Sequence, residues 1–385
     1  MIVCTEDDKD FYLYKDRITN RKVRFSIKQI FIDHWNEFLI TFPHISIRDV
    51  VLSSVEKLLT CKTLAAGFSV YICDCLTKLF VCHTCKSRFC SSCGNKYNEA
   101  RSISIFSKLF KTKHRHVVFT IPDSLRHYFR EDRNRLNLLF KASENTIKFY
   151  FKSKYKNKNI KPAFISVLHT YGRSLIWNPH IHMILLDGGL SHNDFIKINY
   201  FNYASFRKSF MKVLLDLLEI EIGRKEFRKI KNNLYHTYKD GFYVYAPPSK
   251  FKSVHDLIKY VCRYLARPVM AESRIIDYDG TYVTFWYARH EDDKIVIERI
   301  HAYQFIERLI IHIPNYNMKY IRYYGAYHNS SIINFECAKL VSKAKIEWKK
   351  KCLRWRDMII WHFAKDPQKC PNCGLLMVYF NSEFT

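Results

Sequence analysis

Two apolar, β-branched runs, Phe164 to Leu168 and Ile181 to Leu186, flank a polar, Gly-containing stretch of loop length. That pattern predicts two buried antiparallel strands. Side chains two apart on a strand share a face, so His180 and His182 project together while Ile181 enters the opposite layer. Folding the hairpin about Arg173 to Asn178 brings His169 opposite His180, where cross-strand neighbours stand about 5 Å apart. A His-x-His pair on a strand is ordinary on its own. A third imidazole facing the same point makes it a candidate centre for a divalent ion that keeps open positions for a phosphate substrate.

Around the hairpin the periodicity changes. Ile30, Phe31, Trp35, Phe38 and Leu39, then Val50, Val51, Val55, Leu58 and Leu59, recur at helical spacing with a break near Pro43. His116 to Pro122, HVVFTIP, reads as a strand, and the chain from there to about Lys154 reads as helical through Leu136, Leu138, Leu139, Phe140, Ile147 and Phe149. Residues 192–236 again look helical, with Phe206, Phe210, Val213, Leu214 and Leu217 as the buried positions, and Gly241 to Ala246 is one more strand before Pro247. Ser253 and Asp256 form a capping box for a helix of about four turns that Pro268 ends. From about Ser330 to Leu353 the chain reads as basic helices. Strands interleaved with helices in this way predict an α+β layer.

On the capped helix, Tyr260 and Tyr264 lie four apart on one face, beside Lys259, Arg263 and Arg267 at the same interval. Such tyrosines usually pack. A phenol with a pKa of about 10 becomes a nucleophile only where a metal or cation stabilises its phenolate, which the histidine site is suited to do.

Charge and cysteine usage sharpen the picture. The chain has 385 residues, 48% apolar and 16% aromatic, which excludes wholesale disorder. Lys and Arg number 63 against 36 acidic residues, a balance of +27 spread along the chain, as suits a polyanionic partner. There is no apolar run of about 18 residues, and the start, MIVCTEDDKD, is acidic, so we expect a cytosolic protein without a membrane partner. Seven thiols, Cys61, Cys73, Cys75, Cys82, Cys85, Cys90 and Cys93, fall within 33 residues. Cys82/Cys85 and Cys90/Cys93 are natural Cys-x-x-Cys pairs for tetrahedral Zn²⁺; Cys73 and Cys75 compete for places, His83 is near, and one or two ions are accommodated. With Lys86, Arg88, Lys96 and Arg101 around it, the module suits DNA docking.

The cysteine stretch ending CKSRFCSSCG, the strand HVVFTIP, the block HTYGRSLIWNPHIH, the segment FYVYAPP, the helix YVCRYLARP and the run FIERLIIHIPNYNMKYIRYYG follow in order. Through them the chain resembles the rolling-circle HUH transposases of the insertion-sequence 91 family, two-tyrosine type. The resemblance implies an α+β fold, an HUH-endonuclease antiparallel sheet with flanking helices preceded by a small cysteine-rich zinc-binding module. It implies His180 and His182 as the metal pair, with His169 as third ligand by likeness to related HUH nucleases, and Mg²⁺ or Mn²⁺ bound there. Tyr260 and Tyr264 become the nucleophiles, and the substrate single-stranded DNA at element ends and target in a bacterial, nucleoid-associated setting. Two positions depart from the family: Arg88-Phe89-Cys90 stands where Arg-His-Cys is usual, and Cys73-x-Cys75 where Cys-x-x-Cys is usual. A closing Cys370-Pro-Asn-Cys373-Gly resembles the family's C-terminal knuckle, but two thiols alone cannot complete a tetrahedral site.

The expected organisation is then a helical segment at 1–57, the zinc-binding DNA-docking module at 58–105, the nuclease domain at 112–300, a C-terminal helical region contacting DNA at 301–365, and a Cys-x-x-Cys tail at 366–385. Two other functions share these features: a plasmid replication initiator or relaxase with the same chemistry, and a zinc-dependent DNA-binding repressor whose nuclease has decayed.

Overall fold

The computed structural model describes residues 25–43, 46–110, 112–156, 159–191, 194–198, 201–245, 269–289, 292–328, 347, 349–350, 353–363 and 366–383. The described residues open with helices α1 (Ile27–Thr41) and α2 (Asp49–Thr60), the first capped by the Ser26 side chain, which accepts from the Gln29 N–H. Strands β1 (Phe68–Ile72) and β2 (Lys78–Cys82) and helix α3 (Ser91–Phe106) complete the cysteine-rich front. Then come β3 (His114–Thr120), α4 (Asp123–Glu131), α5 (Leu136–Lys154) and the long hairpin β4 (Lys161–Tyr171) and β5 (Trp177–Ser191). β6 (Asp194–Lys197), α6 (Tyr203–Ile222), α7 (Arg224–Thr237) and β7 (Val244–Tyr245) follow. The last part holds β8 (Ile275–Tyr278), β9 (Tyr282–Ala288), β10 (Ile295–His301), α8 (Ala302–Ile310), β11 (Ile321–Gly325), α9 (Trp355–Phe363) and β12 (Val378–Glu383).

The central sheet runs β11-β4-β5-β3-β7, with β6 added to the far end of β5, and every pairing is antiparallel. Both of its faces are covered, which is why its strands read as nearly continuous apolar runs. Val117, Phe119, Phe164, Leu168, Ile181, Met183 and Leu185 pack on the side of α4, α5 and α6, against Phe129, Phe140, Phe206 and Phe210 among others. The alternate residues Ala163, Ile165, Val167, Ile184 and Leu186 meet Ile105, Leu109, Phe110 and Tyr327. The three histidines of the hairpin share this second face, by the two-residue period of the strands.

One charged pair is sealed into the first face. Arg115 donates from Nε to Asp187 and from Nη1 to Tyr203 Oη at 2.6 Å, and its guanidinium lies 4.3 Å over the Phe201 ring. Both side chains are buried. Removing one member of a buried pair strands the other charge, so Asp187→Ala is expected to lower unfolding free energy by about 3–5 kcal/mol, measured by urea denaturation.

Two further sheets surround this one. β8, β9 and β10 form a meander whose Val283 and Phe285 join α8 (Phe305, Ile306, Leu309) and the front helices (Ile30, Phe31, Phe38, Val55) in a second core. Residues near either end of the sequence therefore stabilise one another. The third sheet, β12-β1-β2, adds the tail strand to the front module, with Phe68 opposite Glu383 and Ile72 opposite Val378.

Some segments differ from the periodicity reading. Residues 194–197, expected helical, are β6: Phe195 and Ile196 pair with Leu190 and Gly189 at the end of β5. The region 301–365, expected helical, contains β11, whose partner β4 lies about 150 residues earlier: Tyr324 opposes Phe164 and Ile321 opposes Val167. Gly325 ends that strand at φ 60°, where a Cβ would fall 1.7 Å from the Pro162 carbonyl oxygen, so only glycine lets the two backbones approach. No helix among the described residues is long and apolar enough to cross a membrane.

Candidate metal centres

A bulge between His169 and Tyr171 shifts the hairpin register by one residue from the Tyr171–Trp177 pair at the loop. His169 stands opposite His180, and His182 sits between Val167 on one side and Val118 on the other. Each of the three histidines offers a ring nitrogen, and these atoms all lie within 4.8 Å of one another. His180 Nε2 and His182 Nε2 are 2.9 Å apart. Two outer contacts set the rings. His180 Nδ1–H donates to the Asn178 carbonyl at 2.7 Å, which leaves Nε2 as the lone-pair nitrogen. His116, on β3, meets His182 with Nε2 to Nδ1 at 2.8 Å, their rings stacked. For His182 to present Nε2 inward as a ligand, its Nδ1–H donates to His116, the usual outer support of a metal-bound imidazole.

Electrostatics favour the ligand form. Burial drives His169 and His182 well below the ordinary imidazole range, helped on His169 by the charges of His180 and Arg88 and on His182 by those of His169 and His180. Burial also takes His116 down to about 4. All three are neutral at pH 7, with lone pairs available. The donor set thus fits a divalent ion that keeps positions open, as a catalytic site does.

A cation approaches from an unexpected quarter. Arg88 belongs to the loop between Cys85 and Cys90, and its guanidinium carbon lies 4.7 Å over the ring of Tyr320, whose carbonyl accepts from the N–H of Leu168, next to His169. The front module therefore reaches the histidine site. His312, also buried, belongs to the frame: its Nε2 meets the Leu175 carbonyl at 2.9 Å and its Nδ1 meets Thr170 Oγ1 at 3.1 Å.

Among the described residues, eight of the nine thiols gather in two sets of four. Cys61, Cys85, Cys90 and Cys93 form one; Cys73, Cys75, Cys370 and Cys373 form the other. In the first, Cys61 caps the end of α2 and lies 3.6 Å from Cys93, and the Cys85 N–H donates to its sulfur at 3.4 Å. Hydrogen bonds from Cys85, Cys90 and Cys93 hold the Cys61 thiol far below its ordinary value. Cys82, expected as the partner of Cys85, is in neither set. It is still within β2, on the face of Phe80 and opposite Phe68, and Cys61 stands in its place. His83 instead meets Ser69 Oγ at 3.1 Å.

Tyr260, Tyr264, Lys259, Arg263 and Arg267 lie outside the described residues. Sequence reasoning missed two contributors that are described. His116 had a signal, since it shares a strand face with Val118 beside the hairpin. Arg88 was read only as part of a docking surface, because nothing local says that its loop turns toward β4.

Residues 30–121 match the family model of the transposase zinc-binding domain, and residues 163–332 match a model described as "Putative transposase". The chain is 26% identical over 357 residues to "Transposase for insertion sequence element IS801" of Pseudomonas savastanoi pv. phaseolicola, covering 86% of this chain and 84% of that protein. It is also 26% identical over 295 residues to "Putative transposase y4qJ" of Sinorhizobium fredii (strain NBRC 101917 / NGR234), covering 71% and 73%. No solved structure matches.

Proposed function

Because the chain belongs to the insertion-sequence 91 family of transposases, we propose that it nicks and joins single-stranded DNA at element ends by attack of Tyr260 or Tyr264 on a backbone phosphate. Three imidazoles converging on one point, two of them held neutral by burial, carry this reading. A divalent ion bound there, Mg²⁺ or Mn²⁺, supplies positive charge to a phosphate oxygen. His169, His180 and His182 hold that position, His116 and Asn178 fix the ring orientations, and Arg88 adds a cation beside it.

In the chemical step the tyrosine oxygen bonds to phosphorus, the bond to the 3′-oxygen breaks, and that oxygen leaves as a hydroxyl after taking a proton. The 5′-phosphotyrosine link conserves the bond energy, so strand joining is the reverse attack and needs no ATP. Two tyrosines allow two strands to be held at once. The +27 charge suits DNA at every stage, in the nucleoid of a bacterial cell.

The zinc-binding transposase match favours element ends over a plasmid origin as substrate. The complete histidine set with its outer support favours an enzyme over a decayed binding protein. The test is incubation with labelled single-stranded DNA carrying an element end and Mn²⁺, then denaturing electrophoresis and peptide mapping. The expected product is a covalent adduct on Tyr260 or Tyr264, absent when the metal is chelated. An adduct on another residue, or none on a valid end, sinks the tyrosine mechanism.

A further inference from the structure

We propose that Cys73, Cys75, Cys370 and Cys373 hold a second, structural zinc ion that ties the end of the chain to its front module. The site reaches outside residues 30–121, which match the zinc-binding domain, and it stands independently of the nuclease reading. The two pairs come from positions about 300 residues apart, and their sulfurs interleave: Cys73 lies 3.4 Å from Cys373 and Cys75 lies 3.6 Å from Cys370. All four ligand atoms fall within 4.8 Å of one another. Four thiols with no carboxylate or imidazole in the set suit a closed tetrahedral Zn²⁺ site.

The backbone is built for it. Each pair sits in a tight turn closed the same way, the Cys73 N–H donating to the Thr77 carbonyl at 3.0 Å and the Cys370 N–H to the Leu375 carbonyl at 2.8 Å. In each, the residue after the second cysteine takes a positive φ, Leu76 at 65° and Gly374 at 75°. Two equivalent knuckles facing each other are the two halves of one metal site, and the departure from Cys-x-x-Cys at Cys73-x-Cys75 leaves that geometry intact. The pairing of β12 with β1 sets them in register.

Packing alone does not explain why the tail stays there. The buried cluster at this point consists of Tyr71, Cys73, Cys370 and Met377, with Leu79 and Val81 at its margin, whereas Val378, Tyr379 and Phe380 of β12 are largely exposed. A core this small needs a covalent or metal clip, and the two cysteines closest to its centre are already half of one.

Zinc content of the purified full chain tests the proposal, together with limited proteolysis at the C-terminus. Wild type is expected to carry two zinc ions per chain. Cys370→Ser with Cys373→Ser should carry one, keep its overall melting transition, and lose the tail to protease at least tenfold faster. If folding of that variant fails, Co²⁺-substituted wild type still reports: thiolate charge-transfer intensity should correspond to eight sulfur ligands per chain. One zinc per chain in wild type, two in the double variant, or intensity for four sulfurs overturns the second site.

Discussion

His182→Ala is expected to lower adduct formation on element-end DNA by at least about a thousandfold. His182 lies in the middle of the cluster, 2.9 Å from His180 and within ring contact of His169, so its loss leaves two donors and an ion of weakened affinity. The fold should survive, because the hydrophobic residues of that face, Val167 and Ile184, remain; the cost is the lost hydrogen bond to His116, about 1 kcal/mol. His116→Ala provides the graded control. It leaves all three ligands and removes only the acceptor that orients His182, so metal affinity should fall about 10–100-fold and excess Mn²⁺ should restore the rate. Adduct yield against Mn²⁺ concentration separates the two variants. Unchanged yield in His182→Ala would falsify the trihistidine centre as the catalytic one.

The contrast between the two variants shows where sequence reading has its reach. His169, His180 and His182 were legible because everything that aligns them is local: a hairpin with a short loop, a two-residue strand period and a single register from Phe164 to His169. His116 is one strand further away, and only the pairing of β3 with β5 brings it to His182. The same boundary runs through the thiols. Adjacent Cys-x-x-Cys spacing drew attention to Cys82, but the strand that carries it has to end before the chain can turn. The fourth sulfur of the first set is therefore Cys61, from the end of α2. Cys370 and Cys373 had no visible partners for a similar reason, since a tail strand must first cross about 300 residues of sequence to pair with β1.

Long-range pairing also hid part of the fold. The run IRYYG in β11 alternates across two buried faces only if tyrosines count as apolar: Tyr324 stacks on Phe164 with ring centroids 4.7 Å apart, while Tyr323 packs on the opposite layer. In the β8–β10 meander, one face points into the second core and the other is open to solvent: Val283 and Phe285 are buried while Ile295 and Ile297 are exposed. Apolar residues on both sides blur the period that would have marked these strands.

The second core gives the first zinc set its importance. Cys61, Cys90 and Cys93 are buried in it beside Phe89, and Phe89 meets Phe31 of α1 edge to face at 5.5 Å. The same core contains Phe285, Phe305 and Ile306 from the far end of the chain. A structural zinc contributes about 10–16 kcal/mol in small zinc domains, comparable to the whole stability of a typical domain, about 5–15 kcal/mol. Cys93→Ser is therefore expected to lose that zinc and lower the melting temperature by about 10 °C or more, with α1 and α2 losing protection from hydrogen exchange first. Nicking should disappear as well. The loop from Cys85 to Cys90 is what holds Arg88 over Tyr320 and near His169, so under the proposed mechanism the front module contributes a charge to the reaction in addition to any docking role. Arg88→Ala separates the two contributions: it should retain zinc and wild-type melting while lowering the nicking rate by about 10²-fold or more. If Cys93→Ser nicks element-end DNA at the wild-type rate, the module acts in docking alone and the charge beside His169 takes no part in the reaction.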